Sequence, residues 1–448
     1  MTFAETLAEF LIATDYDDLP EQAVDHAAMI LASTIASAAC GTGIESAAIV
    51  RDLAKDRGGR PDASIWFDSG PKLPIVGAAR ANAMMSDAAA SDDSDLRNIV
   101  HAGTPLTATA LAVAERTGAS GKDILAAIVL GYEAAGRVGE AIMPRFNYRG
   151  HHGCMGAVFG GAVAAARLLG LDATQAAHTI ALTATSIGGL TIAANTSVAR
   201  EYHAGLATLL GLEAALAAQR GYTAELSILE ADRGFCALYG GTDGANITEG
   251  LGDSWDIVTD MAIKLVPGGH PYHALAEASA NAAREGNIDA ADIASITASR
   301  PGTTALTGPL HPKDLIDMAH SPAYFLAAGA ADKAFSWVHA TPEKIDNPAI
   351  HGLIDKVEVG PEPTENASAY RQGATVTIKT HDGRSVTNTV FVPTGAGCLG
   401  IDWADIDAKY RALAPSAPMT NGQVEASLKS IHDFRDLPHA SALIDLLH

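Results

Sequence analysis

Alanine, leucine, isoleucine and valine recur at i, i+3 and i+4 spacings from residue 4 to about residue 236, broken by turns such as Gly41 to Gly43, Gly118 to Gly121 and Gly170. That period belongs to the amphipathic helix, so the first half of the chain predicts one helix after another. Ser120, ahead of Lys122-Asp123, and Asp172, ahead of a helix at 175–188, carry oxygens suited to the free amides of a first turn. Both are predicted N-caps. Past about residue 265 the texture changes to short β-rich runs: ASITASR (294–300), DKVEVG (355–360), ATVTIKT (374–380) and SVTNTVFVP (385–393). His381-Asp382-Gly383 joins the last two as a hairpin. Helical stretches at 273–286 and 321–333 alternate with these strands, and helical spacing returns from Trp403 to His448. The pattern predicts a mainly α protein in two domains. Residues 1–265 and 400–448 form a large helical domain, and residues 266–399 a smaller α+β one.

The chain has 448 residues, 48% of them hydrophobic, enough to bury two cores. A formal net charge of −22 argues against a nucleic acid or an anionic membrane as partner, because either gains affinity from a basic surface. An anionic substrate has to be drawn in by a local cluster of cations against that field, which directs attention to Arg200, Lys264 and the histidines. Cys40, Cys154, Cys236 and Cys398 show no CxxC spacing, so no zinc knuckle or iron-sulfur cluster is signalled, and buried reduced thiols are expected. The first twenty residues are acidic and lack the basic start of a secretory signal, so a cytoplasmic protein is expected. No stretch reads as the ~20 apolar residues a spanning helix needs, and even 204–218 contains Glu213.

Four islands of His, Arg and acid interrupt the helical filler. They are Ser91-Asp92-Asp93-Ser94 with His101-Ala102-Gly103-Thr104-Pro105, RGHHGCMG (149–156), SVAREYHAG (197–205) and KLVPGGHPYHA (264–274). Burying ionisable groups costs several kcal/mol each unless they are paired, so one shared polar pocket is the expectation. His101 precedes a helix starting near Thr104, whose free amides and dipole suit a carboxylate; equally, Asp92, Asp93 and Ser94 could serve only to cap and turn the chain. His151-His152 with Cys154 lacks a second ligand pair at useful spacing, so a general acid or base is favoured over a metal site. Gly156, Gly160 and Gly161 have no preceding strand and no GxGxxG order, so close helix packing explains them better than a phosphate loop. Arg200 cannot act as a base but can hold a carboxylate through two parallel bonds. Lys264, His270 and His273 straddle Pro267-Gly268-Gly269, which reads either as the edge of a ligand cleft or as a plain interdomain connector.

These islands, in this order, resemble the MmgE/PrpD family, which includes 2-methylcitrate dehydratase, cis-aconitate decarboxylase and iminodisuccinate epimerase. DDS followed by HAGTP is similar to the family's DD[ST]…HP[GS] segment, SVAREYHAGLA to TKPLHAG, KLVPGGHPYHA to KxYPxCxxxH, and DMAHSPAYFLAAGAAD to ADHSLPY. The resemblance implies a large helical domain built from both chain ends, a smaller α+β lid, a homodimer, and neither metal nor organic cofactor. It places active-site residues at the domain interface, on positions that match Ser94, His101, His152, Arg200 and His273 here. Three positions depart from the pattern: an expected first acid is Ala90, the lysine of TKPLH is Arg200, and the proline after His101 is Ala102.

The shared chemistry is removal or delivery of a proton at a carbon next to a carboxylate, which needs cationic donors where charge develops. The sequence therefore predicts a lyase, a dehydratase of a small hydroxy di- or tricarboxylate. Second is an isomerase or epimerase working through the same carbanion. A decarboxylase stands third, because arginine cannot replace lysine in proton transfer, and a catalytically silent small-acid binder stands outside the enzyme readings. His101, His152, His273 and Asp93 are the catalytic candidates; Ser94, Arg200, Tyr202, His203, Lys264 and His270 are the substrate-binding ones.

Overall fold

A computed structural model describes residues 1–143 and 150–447, apart from the side chains of residues 152, 153 and 186. The chain divides into two compact units. The first comprises Met1–Ala194, Val198–Ile263 and Asp402–His448, and the second Asn195–Ser197 and Lys264–Ile401. The fold is mainly α, and Lys264 opens the second unit.

Helices build the first unit, and their caps follow from sequence. Ser120 accepts from the Asp123 amide to start Gly121–Ile142, and Asp172 accepts from the Gln175 amide to start Ala173–Ser186, each within a capping box. Gly121–Ile142 lies against Ala157–Leu168 at a point where both helices lack side chains. A β-carbon on Gly131 would stand 2.7 Å from the Gly160 carbonyl oxygen. The glycines after Cys154 thus serve close packing, since any larger residue would push the backbones apart. The helix Glu21–Gly41 is long and apolar enough, by length and composition, to cross a membrane, which the sequence reading did not find. It is 89% buried over its most apolar window and packs on Ile75–Ala88 and Trp403–Leu413, so its apolarity is accounted for as core.

Two short strands interrupt this helical unit, contrary to the expectation of helices alone. β1 (Asp93–Asp95) pairs antiparallel with β2 (Met261–Ile263), setting Asp93 opposite Ile263 and Asp95 opposite Met261. In the second unit β3 (Ile293–Ser299) lies parallel to β4 (Val357–Val359) and antiparallel to β5 (Ala374–Thr380), which forms a hairpin with β6 (Ser385–Val390). Alternate residues Ala374, Val376 and Ile378 are buried with Ile293, Ile296 and Ala298 against the helices His273–Glu285 and Pro322–Asp332. Of the four cysteines, Cys154 and Cys236 are buried and Cys40 partly so. Cys398 is exposed, which corrects the expectation that every thiol is buried.

Candidate functional site

The helix Ile75–Ala88 ends one turn before the first polar island, and Ala90 reverses the chain with φ +51°. β1 then carries Asp93, Ser94 and Asp95 into the interior, where all three are buried. A tight turn follows. The Asp95 amide donates to the Val100 carbonyl at 2.9 Å, and Asp95 Oδ1 accepts from the amides of Arg97 at 2.7 Å and Asn98 at 3.3 Å. Ile99 sits at φ +57°, which a β-branched side chain rarely adopts, so the surrounding bonds hold backbone strain just ahead of His101.

That turn delivers the His101 ring onto Asp92. Nδ1 lies 2.8 Å from Asp92 Oδ2 and 2.7 Å from the Asp93 carbonyl oxygen. A carbonyl only accepts, so Nδ1 carries the hydrogen and the neutral ring keeps its lone pair on Nε2. The Asp92 side chain is 1% exposed and that of His101 20%, so a buried carboxylate backs an imidazole that solvent can reach. Asp93 has a different task. Its Oδ1 accepts from the Gly103 amide at 2.9 Å, capping the helix Gly103–Thr117, and burial beside Asp93 and Asp95 holds the Tyr132 phenol well above its ordinary range. The sequence reading saw a carboxylate site at this helix start; the chain's own Asp93 fills it.

Arg200, near the start of the helix Ala199–Gln219, closes the other side. Its Nε lies 3.3 Å from Asp87 Oδ2, and Nη2 donates to the carbonyls of Asp87 at 2.6 Å and Ala88 at 3.3 Å. The guanidinium thus sits on the carboxyl end of Ile75–Ala88, where the helix dipole favours a cation. Burial disfavours its charge, but Asp87, Glu201 and Asp92 outweigh that and keep it protonated. Burial also raises the neighbouring Cys154 thiol well above its usual value, with Asp87 and Asp92 adding to the effect.

His203 stacks on His151 with ring centroids 5.0 Å apart, and burial lowers its pKa. Tyr202 is 44% exposed and lies under the Arg80 guanidinium at 5.0 Å. The helix His152–Met155 begins at the second motif histidine, whose side chain lies outside the described residues. In the second unit, Lys264, His270 and His273 are all buried; the two imidazoles stack at 4.6 Å, with Phe325 6.0 Å from His273. Among the described residues no group of three or more His, Cys, Asp or Glu converges as a metal set.

Beneath the turn lies a cluster that sequence reasoning missed. Arg97 meets Asp256 at 2.6 Å, Glu140 at 2.9 Å and Asp260 at 3.4 Å, with Asp95 at 3.9 Å. Glu133 binds Arg137 at 2.5 Å and accepts from the Asp256 amide at 2.8 Å. Carboxylates outnumber guanidinia here. Burial raises Asp95 to about 7, with Asp260 adding to the rise and Arg97 opposing it, and burial next to Glu133 pushes Asp256 well up.

Residues 5–248 match the MmgE/PrpD N-terminal domain and residues 267–431 the MmgE/PrpD C-terminal domain. The chain is 25% identical to the cis-aconitate decarboxylase of Homo sapiens, covering all of this chain and 94% of that protein. It is 27% identical to the cis-aconitate decarboxylase of Aspergillus terreus, covering 96% of this chain and 93% of that one. It is also 26% identical to a cis-aconitate decarboxylase-like protein of Aspergillus oryzae, over 82% of each. Between them the two domain matches take in most of the sequence, the three polar islands at 91–105, 149–156 and 197–205 and the His270–His273 pair of the second unit, and the chain belongs to the MmgE/PrpD family.

Proposed function

We propose that the protein is a lyase that removes water from a small hydroxy di- or tricarboxylate, beginning with proton abstraction next to a carboxylate. The His101–Asp92 pair carries this reading. Nε2 of His101 takes the proton, and buried Asp92 stabilises the imidazolium that forms. The electron pair left on carbon forms the double bond as the carbon–oxygen bond breaks, and the hydroxide leaves as water with a proton from a second acid. His152 is our candidate for that acid. Arg200, fixed on Asp87 through Nε and Nη2, contributes positive charge where the carboxylate's negative charge grows. In this scheme Asp93 holds the helix start and the turn, so it acts on His101 by position.

The names of the relatives favour a second reading, decarboxylation. There the carbon–carboxylate bond breaks, carbon dioxide leaves, and the carbanion takes a proton. The side chain at residue 90 has no acid and residue 200 cannot give up its proton, which places this route second. Incubation in deuterium oxide with citrate-like, tartrate-like and amino-dicarboxylate compounds and with cis-aconitate separates the two. Dehydration yields an unsaturated acid seen in the ultraviolet without gas release, whereas decarboxylation releases carbon dioxide and leaves deuterium on carbon. Carbon–hydrogen exchange without net product would sink both and point to an isomerase.

A further inference from the structure

Arg300 follows the last residue of β3 and is partly buried, and among the described residues no carboxylate forms an ion pair with it. Its Nη1 donates to the Pro271 carbonyl at 2.6 Å and its Nη2 to Gln372 Oε1 at 3.2 Å. Burial pulls the guanidinium below its ordinary value, and the Tyr272 phenol acts against that. A partly buried cation held by neutral acceptors carries a desolvation cost that a bound anion would offset.

The same side chain lines a cavity of about 300 Å³ within the second unit. Polar residues in its lining are Arg300, Tyr272, Thr303, Thr304 and Thr307, which bring hydroxyl groups as well as the guanidinium. Its apolar lining is formed by Leu275, Ala298, Leu306 and Val359. Pro322, the first residue of the helix Pro322–Asp332, also lines the cavity. A guanidinium fork and hydroxyls together with hydrocarbon in one lining match an anion that has a short carbon skeleton. Inorganic phosphate matches only the polar half. No residue of this cavity belongs to the four polar islands except Tyr272.

We propose that this cavity binds a small organic carboxylate, with the carboxylate on Arg300 and its carbon chain against Leu275, Leu306 and Val359. No residue used in the proposed reaction lines this cavity. The full chain is titrated with isobutyrate and, separately, with inorganic phosphate, and binding is followed by calorimetry and by amide exchange of residues 300–310. Isobutyrate is expected to slow exchange in that segment, and Arg300→Gln to weaken its binding at least ~10-fold, the loss of a charge-assisted pair. Thr304→Val, which keeps volume and fold, is expected to weaken it about threefold. His101→Asn is expected to leave the protection of 300–310 unchanged. Phosphate binding as well as or better than isobutyrate overturns the organic half of the proposal. Protection that survives Arg300→Gln, or that disappears in His101→Asn, overturns the site itself.

Discussion

Asp93 Oδ1 stands 2.5 Å from the place where a β-carbon on Gly103 would be, while it accepts that residue's amide hydrogen at 2.9 Å. The capping carboxylate and the missing side chain are one arrangement: the helix start accepts this acid only because residue 103 presents bare backbone.

Gly103→Ala is therefore expected to expel the Asp93 carboxylate from its cap and loosen β1. The cost should be roughly 2–4 kcal/mol, combining a lost N-cap with overpacking. Denaturant unfolding of the two proteins measures it; an alanine variant as stable as the parent would mean that the cap contributes nothing.

Replacing His101 tests chemistry separately from folding. Asn at this position can still donate to the Asp93 carbonyl, so the turn should survive, while kcat drops by about 10²–10⁴ for want of the base. Steady-state rates and a thermal scan on the same preparation decide it. Equal activity would remove His101 from the reaction, and a large fall in melting temperature would make it a structural residue.

Arg200→Lys exchanges a planar fork for a point charge that cannot span Asp87 Oδ2 and two carbonyls at once. A loss of roughly 1–3 kcal/mol is expected. Arg200→Met should cost more, because Asp87 is left buried without its partner, and adding Asp87→Asn should recover part of that loss. Strictly additive effects of the Met and Asn changes would contradict the pairing.

Stability should also respond to pH through Asp95. Its folded pKa, raised from 3.8 to about 7, means the folded state binds this proton more tightly than the unfolded state does. The associated stability is complete below about pH 4 and is lost as pH rises toward 7, at up to ~1.4 kcal/mol per pH unit for one proton. Asp95→Asn keeps the acceptor for the Arg97 and Asn98 amides and should flatten that decline. Midpoints measured from pH 4.5 to 8 on both proteins give the comparison, and parallel curves would show that Asp95 does not titrate in this window.

Much of this arrangement was legible before any coordinates. Ser120 and Asp172 announced their helices because capping is local, and the hairpin at 381–383 was readable for the same reason. β1 was not: three residues reading Asp-Ser-Asp carry no strand signal and become a strand only by pairing with residues 261–263. Asp87 was missed although it is an acid inside an alanine-rich helix. Nothing in its spacing points to Arg200, 113 residues away. The Arg97 cluster was hidden in the same way, since Glu140, Asp256 and Asp260 meet it only after the helices have packed. Arg300 went unmarked because an arginine after a strand reads as a solvated end, and only the folded cavity brings Tyr272 and the threonines beside it.

The carboxyl-terminal helices pack against the rest of the first unit beside its first polar island. Lys409 is buried and donates to Ser33 Oγ at 2.7 Å and to the carbonyl of Ser91, one residue before Asp92, while the Phe67 amide donates to the Leu447 carbonyl at 2.6 Å. During synthesis the stretch that holds Asp92 and His101 therefore leaves the ribosome more than 300 residues ahead of the lysine that fastens it. The helical unit cannot finish assembling until the entire second unit has been translated and residues 402–447 have emerged. Until then its nascent apolar faces stay open to chaperones, and a ribosome stalled inside the second unit would present a helical fragment without its anchor.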